Sequence, residues 1–260
     1  MSMTKFLRVA LMGSAAVALM SGAALAADLG GSLKDGSAAT PDHTIAVNGG
    51  LTTDYVFRGI SQSDNDPAVF AGIDLTYKMF YAGVWGSSVS AFTSSAGIET
   101  DIYAGIKQSW KGIDFDLGVI YYTYPGNNAT SELNYLELKA SASAKIRDVT
   151  VTGTVFWSPD YYGEAGGTWT VEGKASAPLP VWGLTLSGAL GHVSSDDDNA
   201  AFSGLYGDDA YTYWNVGLSK TFRDHFTVDV RYWGTDADGV DAYTKGLADD
   251  RILGTLTFNY

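Results

Sequence analysis

Apolar and polar residues alternate along most of the chain after residue 44, with the period of two that is typical of β-strands. Between Ile98 and Trp110, one set of alternate positions is mainly aliphatic, and the other carries acidic, basic and polar residues. The same alternation predicts twelve strands, at 45–59, 69–78, 80–89, 98–110, 113–124, 136–146, 149–158, 169–177, 184–193, 213–222, 226–233 and 252–260. Segments of this length can cross a bilayer at the tilt of a barrel strand, and an even number suits a single-chain barrel.

The connections between these strands alternate in length. The short ones are Lys78-Met79, Lys111-Gly112, Arg147-Asp148, Pro178-Leu179-Pro180 and Arg223-Asp224. The long ones are 60–67, 90–97, 125–131, 159–168, 194–210 and 234–249. Outer-membrane barrels have short periplasmic turns and longer external loops. The sequence therefore predicts an all-β fold, a single antiparallel transmembrane β-barrel of about twelve strands over residues 44–260.

The start of the chain has the order of a cleaved signal peptide over residues 1–26: two basic residues, an apolar run and Ala24-Leu25-Ala26. Residues 27–43 are rich in Gly, Ser and Ala and have no period, so we expect a flexible periplasmic tail. Threading of this segment into the lumen as a plug is the alternative. The mature chain has no cysteine, so packing and the backbone ladder alone must hold it together.

The last strand, Ile252 to Tyr260, ends on a bare aromatic residue. It looks like the closing strand of an outer-membrane barrel, which the barrel-assembly machinery reads. Other aromatic residues, among them Tyr55, Phe57 and Tyr161, cluster near strand ends and predict two girdles at the headgroup levels. We therefore expect the Gram-negative outer membrane, with its lipid and lipopolysaccharide, as the environment of the protein.

The net charge of −13 raises the question of where the acidic residues lie. Strand alternation places nine acids toward the lumen: Asp54, Asp74, Glu99, Asp101, Asp114, Asp116, Glu137, Glu172 and Asp229. It places seven bases there: Arg58, Lys78, Lys107, Lys139, Lys145, Lys174 and Arg231. Most other acids fall in the long loops, and an acidic mouth favours cations or neutral solutes. Alternatively, the interior charges pair between neighbouring strands and brace a narrow, partly plugged barrel.

Two segments carry a family resemblance. Residues 51–68 read L-T-T-D-Y-V-F-R-G-I-S-Q-S-D-N-D-P-A, and residues 81–87 read Y-A-G-V-W-G-S. They resemble the signature of the TorF-like porin family, a T-x-D-Y-x-F-R-G-x-S-Q run followed by G-[CV]-W. The resemblance implies an outer-membrane barrel for passive diffusion of small solutes. The spacing itself puts Asp54 and Arg58 on one face of the first strand, where Arg58 is either a pore-constriction charge or a brace.

Two other functional classes stay open beside the porin-like channel. His192 and Ser194 share a strand face in an order that resembles outer-membrane phospholipases. Such a pair needs a third group to orient the imidazole, and the following loop offers only Asn199. A surface receptor or adhesin would instead use the loops at 194–210 and 234–249. We expect a channel, not an enzyme, and no metal, cofactor or nucleic-acid partner, since the histidines are isolated and cysteine is absent.

Overall fold

The computed structural model describes residues 43–90, 95–196, 200–237, 239–240 and 246–260. The predicted signal peptide and nearly all of the predicted tail lie outside these residues. The described strands are β1 His43–Thr52, β2 Val56–Phe57, β3 Ile60–Ser61, β4 Ala68–Tyr77, β5 Phe80–Ser88, β6 Ile98–Trp110, β7 Ile113–Thr123, β8 Tyr135–Ile146, β9 Val149–Ser158, β10 Thr168–Pro178, β11 Thr185–Ser195, β12 Ala210–Phe222, β13 Phe226–Thr235 and β14 Arg251–Asn259. One short helix, α1 Ala200–Tyr206, precedes β12.

Twelve of these strands, β1 and β4 to β14, form a closed antiparallel barrel in which each strand pairs with its neighbours in the chain. The seam joins β1 to β14, with Leu51 opposite Leu256. Backbone hydrogen bonds of 2.8 and 2.9 Å between Val47 and Tyr260 extend that seam to the last residue. The predicted twelve-stranded barrel is confirmed. None of the helices among the described residues is long and apolar enough to span a bilayer.

Each barrel strand turns one side outward and the other inward, because successive side chains of a strand point to opposite faces. The outward side chains form an apolar surface that includes Ile45, Leu51, Ile73, Leu75, Ile102, Leu117, Leu138, Val171, Leu190, Val216, Val230 and Ile252. Exposed apolar area on this scale suits contact with lipid and is unusual for a surface in water. The inward side chains include most of the buried charged and tyrosine residues.

The connections sort by length as predicted, so the barrel has a short-turn end and a long-loop end. Four of the short turns begin with a basic residue in the left-handed region: Lys78 (φ 55°), Lys111 (φ 51°), Arg147 (φ 58°) and Arg223 (φ 49°). The fifth, between β10 and β11, is longer and carries the highly exposed Trp182.

The prediction of one continuous strand over 45–59 is wrong. β1 ends at Thr52, and the chain then turns into the barrel, where β2 and β3 form a separate two-stranded hairpin. Several aromatic residues assigned to a rim girdle, including Tyr55, Phe57 and Tyr161, are buried inside instead. We call residues 53–63 the in-folded segment. Apolar alternation continues through it, but its side chains pack on the barrel wall and not on lipid.

Tyrosine rings lie over glycines of neighbouring strands on the inner wall. Tyr103 of β6 is opposite Gly83 of β5, and a Cβ on Gly83 would overlap the Tyr103 ring. The Tyr103 hydroxyl donates a 2.7 Å hydrogen bond to Asp74. Gly83 is the glycine of the Gly-Val-Trp segment, so the ring contact explains why that position lacks a side chain.

We expect Gly83→Ala to destabilise the barrel by about 1–3 kcal/mol, because the added methyl group overpacks the Tyr103 ring and displaces its hydroxyl from Asp74. Gly254→Ala is the control, since a Cβ there meets nothing within 4 Å. Urea unfolding in detergent, monitored by the loss of heat-modifiable electrophoretic mobility, measures the difference in stability between the two variants. Equal midpoints for the two variants would contradict the contact.

Candidate functional site

The in-folded segment reaches from the seam side of the barrel to the opposite wall at the long-loop end. The tip of its hairpin is a two-residue turn, with Arg58 at φ 48° and Gly59 at φ 87°. Tight hairpins favour two consecutive left-handed residues, which is why glycine suits the second position. A Cβ on Gly59 would approach Thr235 and Tyr213 to 2.7 and 3.0 Å. The hairpin tip therefore packs directly against β12 and β13.

Arg58 anchors the tip to β8. Its two terminal nitrogens donate hydrogen bonds of 2.7 and 2.9 Å to the two carboxylate oxygens of Glu137. Both side chains are almost completely buried, and the guanidinium lies 5.0 Å from the centroid of the Phe156 ring. Burial lowers the pKa of Arg58, but Glu137 and the surrounding Tyr161, Tyr213 and Tyr122 together raise it by more, so the pKa lies well above its ordinary value and the group stays charged. A buried bidentate pair of this kind specifies one position for the hairpin.

Asp54 anchors the base of the same segment. One carboxylate oxygen accepts hydrogen bonds from Ser61 (2.6 Å) and Ser63 (2.9 Å), across the hairpin. The other accepts a 2.6 Å bond from Arg251, the first residue of β14. Arg251 also donates to the carbonyl groups of Gly246 and Leu247. Asp54 thus ties the in-folded segment to the closing strand.

Aromatic residues fill the space between the segment and the wall. Tyr55 donates a 2.7 Å hydrogen bond to Glu99, and its ring lies 5.5 Å from Trp85. Trp85 in turn stacks on Phe70 at 6.0 Å. Burial raises the pKa of Tyr55, and the Glu99 and Asp101 charges raise it further, so the phenol stays neutral and can donate. The two signature segments of the sequence, around Tyr55 and Trp85, therefore meet in one packed cluster.

A second group of rings surrounds the hairpin tip at the long-loop end. Tyr122 stacks on Tyr135 with ring centroids 4.3 Å apart, and Tyr135 meets Tyr161 edge to face. Tyr122 also donates a 3.0 Å hydrogen bond to Glu137, and the Tyr161 oxygen accepts one from Arg58. Burial raises the pKa of Tyr161. The Arg58–Glu137 pair is thereby shielded from water by tyrosines.

Most of the other charged residues that the sequence assigned to the lumen lie on the inward face of a strand, and most of these have a polar partner. Lys78 is an exception, because it begins the exposed turn between β4 and β5. Lys139 pairs with Asp116 at 2.8 Å, which bridges β8 and β7. Two pairs lie within one strand: Lys174 with Glu172 at 2.7 Å and Arg231 with Asp229 at 2.9 Å. Asp74 accepts the Tyr103 hydroxyl, Lys107 lies 5.3 Å from the Tyr81 ring centroid, and Asp114 is exposed near the short-turn end. The interior is thus a network of pairs.

Asp101 differs from these residues. It is completely buried on the inner face of β6, and among the described residues neither of its carboxylate oxygens has a hydrogen-bond partner. Around the in-folded segment, Glu137 pairs with Arg58 and Asp54 pairs with Arg251, while Asp101 lies near the Glu99 and Glu137 carboxylates. The part of the lumen that the in-folded segment occupies therefore contains more acidic than basic side chains.

The sequence assigned Asp54 and Arg58 to a barrel strand, and that placement is wrong, although both side chains do lie inside. Alternation within β1 cannot reveal a chain that leaves the wall. Arg251 was missed because it begins its strand directly after an acidic loop. The hairpin signal was the Arg-Gly dipeptide between Val-Phe and Ile-Ser, which is weaker than the usual Asn-Gly.

His192 and Ser194 face outward on β11. The His192 Nδ1 atom lies 3.1 Å from the Thr212 hydroxyl, and in the described part of the chain no carboxylate is hydrogen-bonded to this imidazole. Asn199 lies outside the described residues, as do Asp197, Asp198, Asp238 and 241–245 of the acidic loops. Among the residues that are described, no group of three or more His, Asp or Glu side chains is arranged to hold a metal ion.

Comparison with known proteins places this barrel in a family. A family described as "Bacterial protein of unknown function (Gcw_chp)" matches residues 36–257. The chain belongs to the Gcw_chp family. No curated protein matches it in sequence.

Among solved structures, this Gcw_chp protein is similar to the KdgM porin, with a TM-score of 0.54, 10% identity and coverage of 84% of this chain and 98% of that one. The NanC porin gives a TM-score of 0.49 at 10% identity, covering 83% and 98% of the two chains. An outer membrane channel from Pseudomonas putida F1 gives 0.48 at 14% identity, covering 88% and 99%. At this identity the KdgM likeness shows a shared barrel fold.

We expect Arg58→Ala to release the in-folded segment, because it leaves the Glu137 carboxylate buried without its partner, at a cost of about 3–5 kcal/mol. Hydrogen exchange of residues 53–63 should speed up strongly, while the strands far from the hairpin stay protected. The paired variant Arg58→Met with Glu137→Leu keeps the volume without a lone charge and should retain most of the protection. Unchanged exchange in Arg58→Ala would show that the pair does not hold the segment.

Proposed function

We propose that this Gcw_chp protein is an outer-membrane, porin-like channel for passive diffusion of small solutes, narrowed by its in-folded segment and favouring cations or neutral solutes. The observation that carries the proposal is the combination of a closed barrel, an apolar outer face and a charged inner face crossed by the 53–63 hairpin. A charged interior with a constriction is what selective diffusion requires.

The location follows from the same surfaces. An apolar band on a closed barrel is stable in lipid, where every backbone group must be paired internally. The resemblance of residues 51–68 and 81–87 to the TorF-like porins supports this environment. The assembly machinery that reads the β14 strand, and the lipid and lipopolysaccharide around the barrel, are the proposed partners. Because outer-membrane barrels have long external loops and short periplasmic turns, we place the long-loop end outside the cell and the short-turn end in the periplasm.

The cation preference rests on the charges at the constriction. Two of its four carboxylates are neutralised by Arg58 and Arg251, and Glu99 and Asp101 have no basic side chain bonded to them among the described residues. An excess of acidic over basic groups along the path of a solute attracts cations and repels anions. The long loops add further acids at the mouth.

In planar bilayers, the purified barrel should give stepwise conductance that is small for its diameter, because the hairpin occupies the lumen. Arg58→Ala with Glu137→Ala should raise the single-channel conductance. Lys139→Ala with Asp116→Ala is the matched control, since it removes an interior ion pair that does not hold the hairpin. Its effect should be smaller. Absence of conductance steps in wild type and in the first variant would contradict the channel.

Reversal potentials in a salt gradient should show cation preference, and Glu99→Gln with Asp101→Asn should reduce the cation-to-anion permeability ratio several-fold. Asp114→Asn, at the exposed short-turn end, is the control for a carboxylate outside the constriction and should change the ratio little. Anion selectivity of the wild-type channel would overturn the charge argument while leaving the channel itself in place.

A further inference from the structure

A groove of about 810 Å³ runs along the outer wall of the barrel between β7 and β12. Its surface is almost entirely apolar. The outward-facing residues that line it are Ile113, Ala142, Ala144, Val149, Val151, Gly153, Gly173, Ala175, Ala177, Leu186, Gly188, Leu190 and Val216. Nearly all of the inward residues that also touch it lie between these outward ones along the strands, and every run of lining residues within a strand begins or ends on an outward one. The groove is therefore on the lipid-facing side, not in the lumen.

Small residues at paired positions create this depression. Ala142 is opposite Gly153, and Gly153 is opposite Gly173, so three adjacent strands have almost no side chain at one level. A Cβ at Gly153 or Gly173 would meet no atom within 4 Å. Farther along β9 and β10, toward the long-loop end, Trp157 and Trp169 rise from the wall with ring centroids 6.1 Å apart. The volume falls within the roughly 300–1,000 Å³ of small-molecule sites.

Basic residues stand at the short-turn end of the groove. Ile113 and Val149, which line the groove, each follow a short turn that begins with a base, Lys111 and Arg147 respectively. Both bases are exposed, and the Lys111 ammonium lies 4.5 Å from the centroid of the outward Trp110 ring. Asp148, beside Arg147, is the one acid of these two turns. An apolar channel that ends at cationic groups and an interfacial indole matches an amphiphile with an anionic head.

We propose that this groove binds one glycerophospholipid of the periplasmic leaflet, with an acyl chain in the groove and the phosphate between Lys111 and Arg147. The proposal goes beyond channel activity and takes from the proposed function only the orientation that names the leaflet. Lys and Arg near a bilayer surface attract anionic headgroups. The groove distinguishes this position from the other basic turns, which have the charge without the adjacent depression.

Charge and shape argue against a second copy of the chain as the occupant. An isologous contact would set two concave surfaces against each other and leave a void between them. It would also bring Lys111 and Arg147 of both copies to the same rim, where like charges repel. A flexible acyl chain fills a shallow groove without either cost.

The test is native mass spectrometry of the delipidated full-length barrel in detergent, titrated with phosphatidylglycerol and, in a second arm, with diacylglycerol. Wild type should retain one phosphatidylglycerol and bind diacylglycerol far less, because the latter lacks the phosphate. Lys111→Ala with Arg147→Ala should weaken phosphatidylglycerol binding by about tenfold or more, the scale of losing two basic headgroup contacts. Gly173→Leu, which fills the groove, should weaken it similarly.

Matched controls separate this site from general lipid adhesion. Lys78→Ala with Arg223→Ala removes two bases from equivalent left-handed turn positions away from the groove. Gly254→Leu adds a side chain at an outward glycine that is equally open but lies on β14. Both control variants should bind phosphatidylglycerol as wild type does. If heat-modifiable mobility shows that Gly173→Leu misfolds, Ala142→Leu is the groove-filling variant used in its place.

Equal weakening by the control turns would overturn the site in favour of diffuse rim electrostatics. Undiminished binding by both groove-filling variants would also overturn it. A lipid-free dimer that Gly173→Leu dissociates would assign the groove to a second copy instead. None of these results depends on conductance, so the lipid site and the channel stand or fall separately.

Discussion

Closure of the barrel between β1 and β14 is the constraint on which the rest of this structure depends. Because the chain has no cysteine, no disulfide stabilises the barrel. The continuous ladder of backbone hydrogen bonds and the side-chain packing inside it hold the structure together. The seam also fixes where β1 ends. Thr52, its last residue, pairs with Thr255, and immediately beyond it the chain departs into the lumen. The Asp54–Arg251 pair binds the departing chain to the strand that closes the ring. The in-folded segment and the seam are therefore one structural unit.

The period of two was sufficient to predict the strands of the barrel wall, but not the hairpin that the wall encloses. Alternation identifies eleven of the twelve barrel strands closely, because one face must meet lipid and the other must not. It fails after Thr52, where Tyr55 and Phe57 continue the alternation but pack inside. Apolar side chains are needed equally by a lipid-facing strand and by a hairpin that fills a lumen. An apolar residue type indicates that the side chain is shielded from water, but it does not indicate whether lipid outside the barrel or packing inside the lumen shields it.

The interior charges were predicted by parity, while their pairing was not. Parity along a strand states only that a residue faces inward, and it placed Glu137 and Asp229 there correctly. Which base each acid meets depends on geometry across the lumen. Glu137 pairs with a residue 79 positions away, whereas Asp229 pairs with its own strand neighbour two residues on. The expectation of braces between neighbouring strands describes Lys139–Asp116, whereas the Arg58–Glu137 pair reaches from the hairpin tip to the wall and holds the hairpin.

Glycines on the two faces of the same wall have opposite consequences, and this asymmetry links packing to function. On the inner face, Gly83 and Gly191 leave room for the rings of Tyr103 and Tyr213, which fill the space that a side chain would occupy. On the outer face, Gly153 and Gly173 have nothing above them, and the absence stays open as a groove. A barrel wall one residue thick cannot bury both faces of a strand by itself. Tyrosines of the chain fill the space above the inner glycines, and we propose that a lipid of the bilayer fills the space above the outer ones.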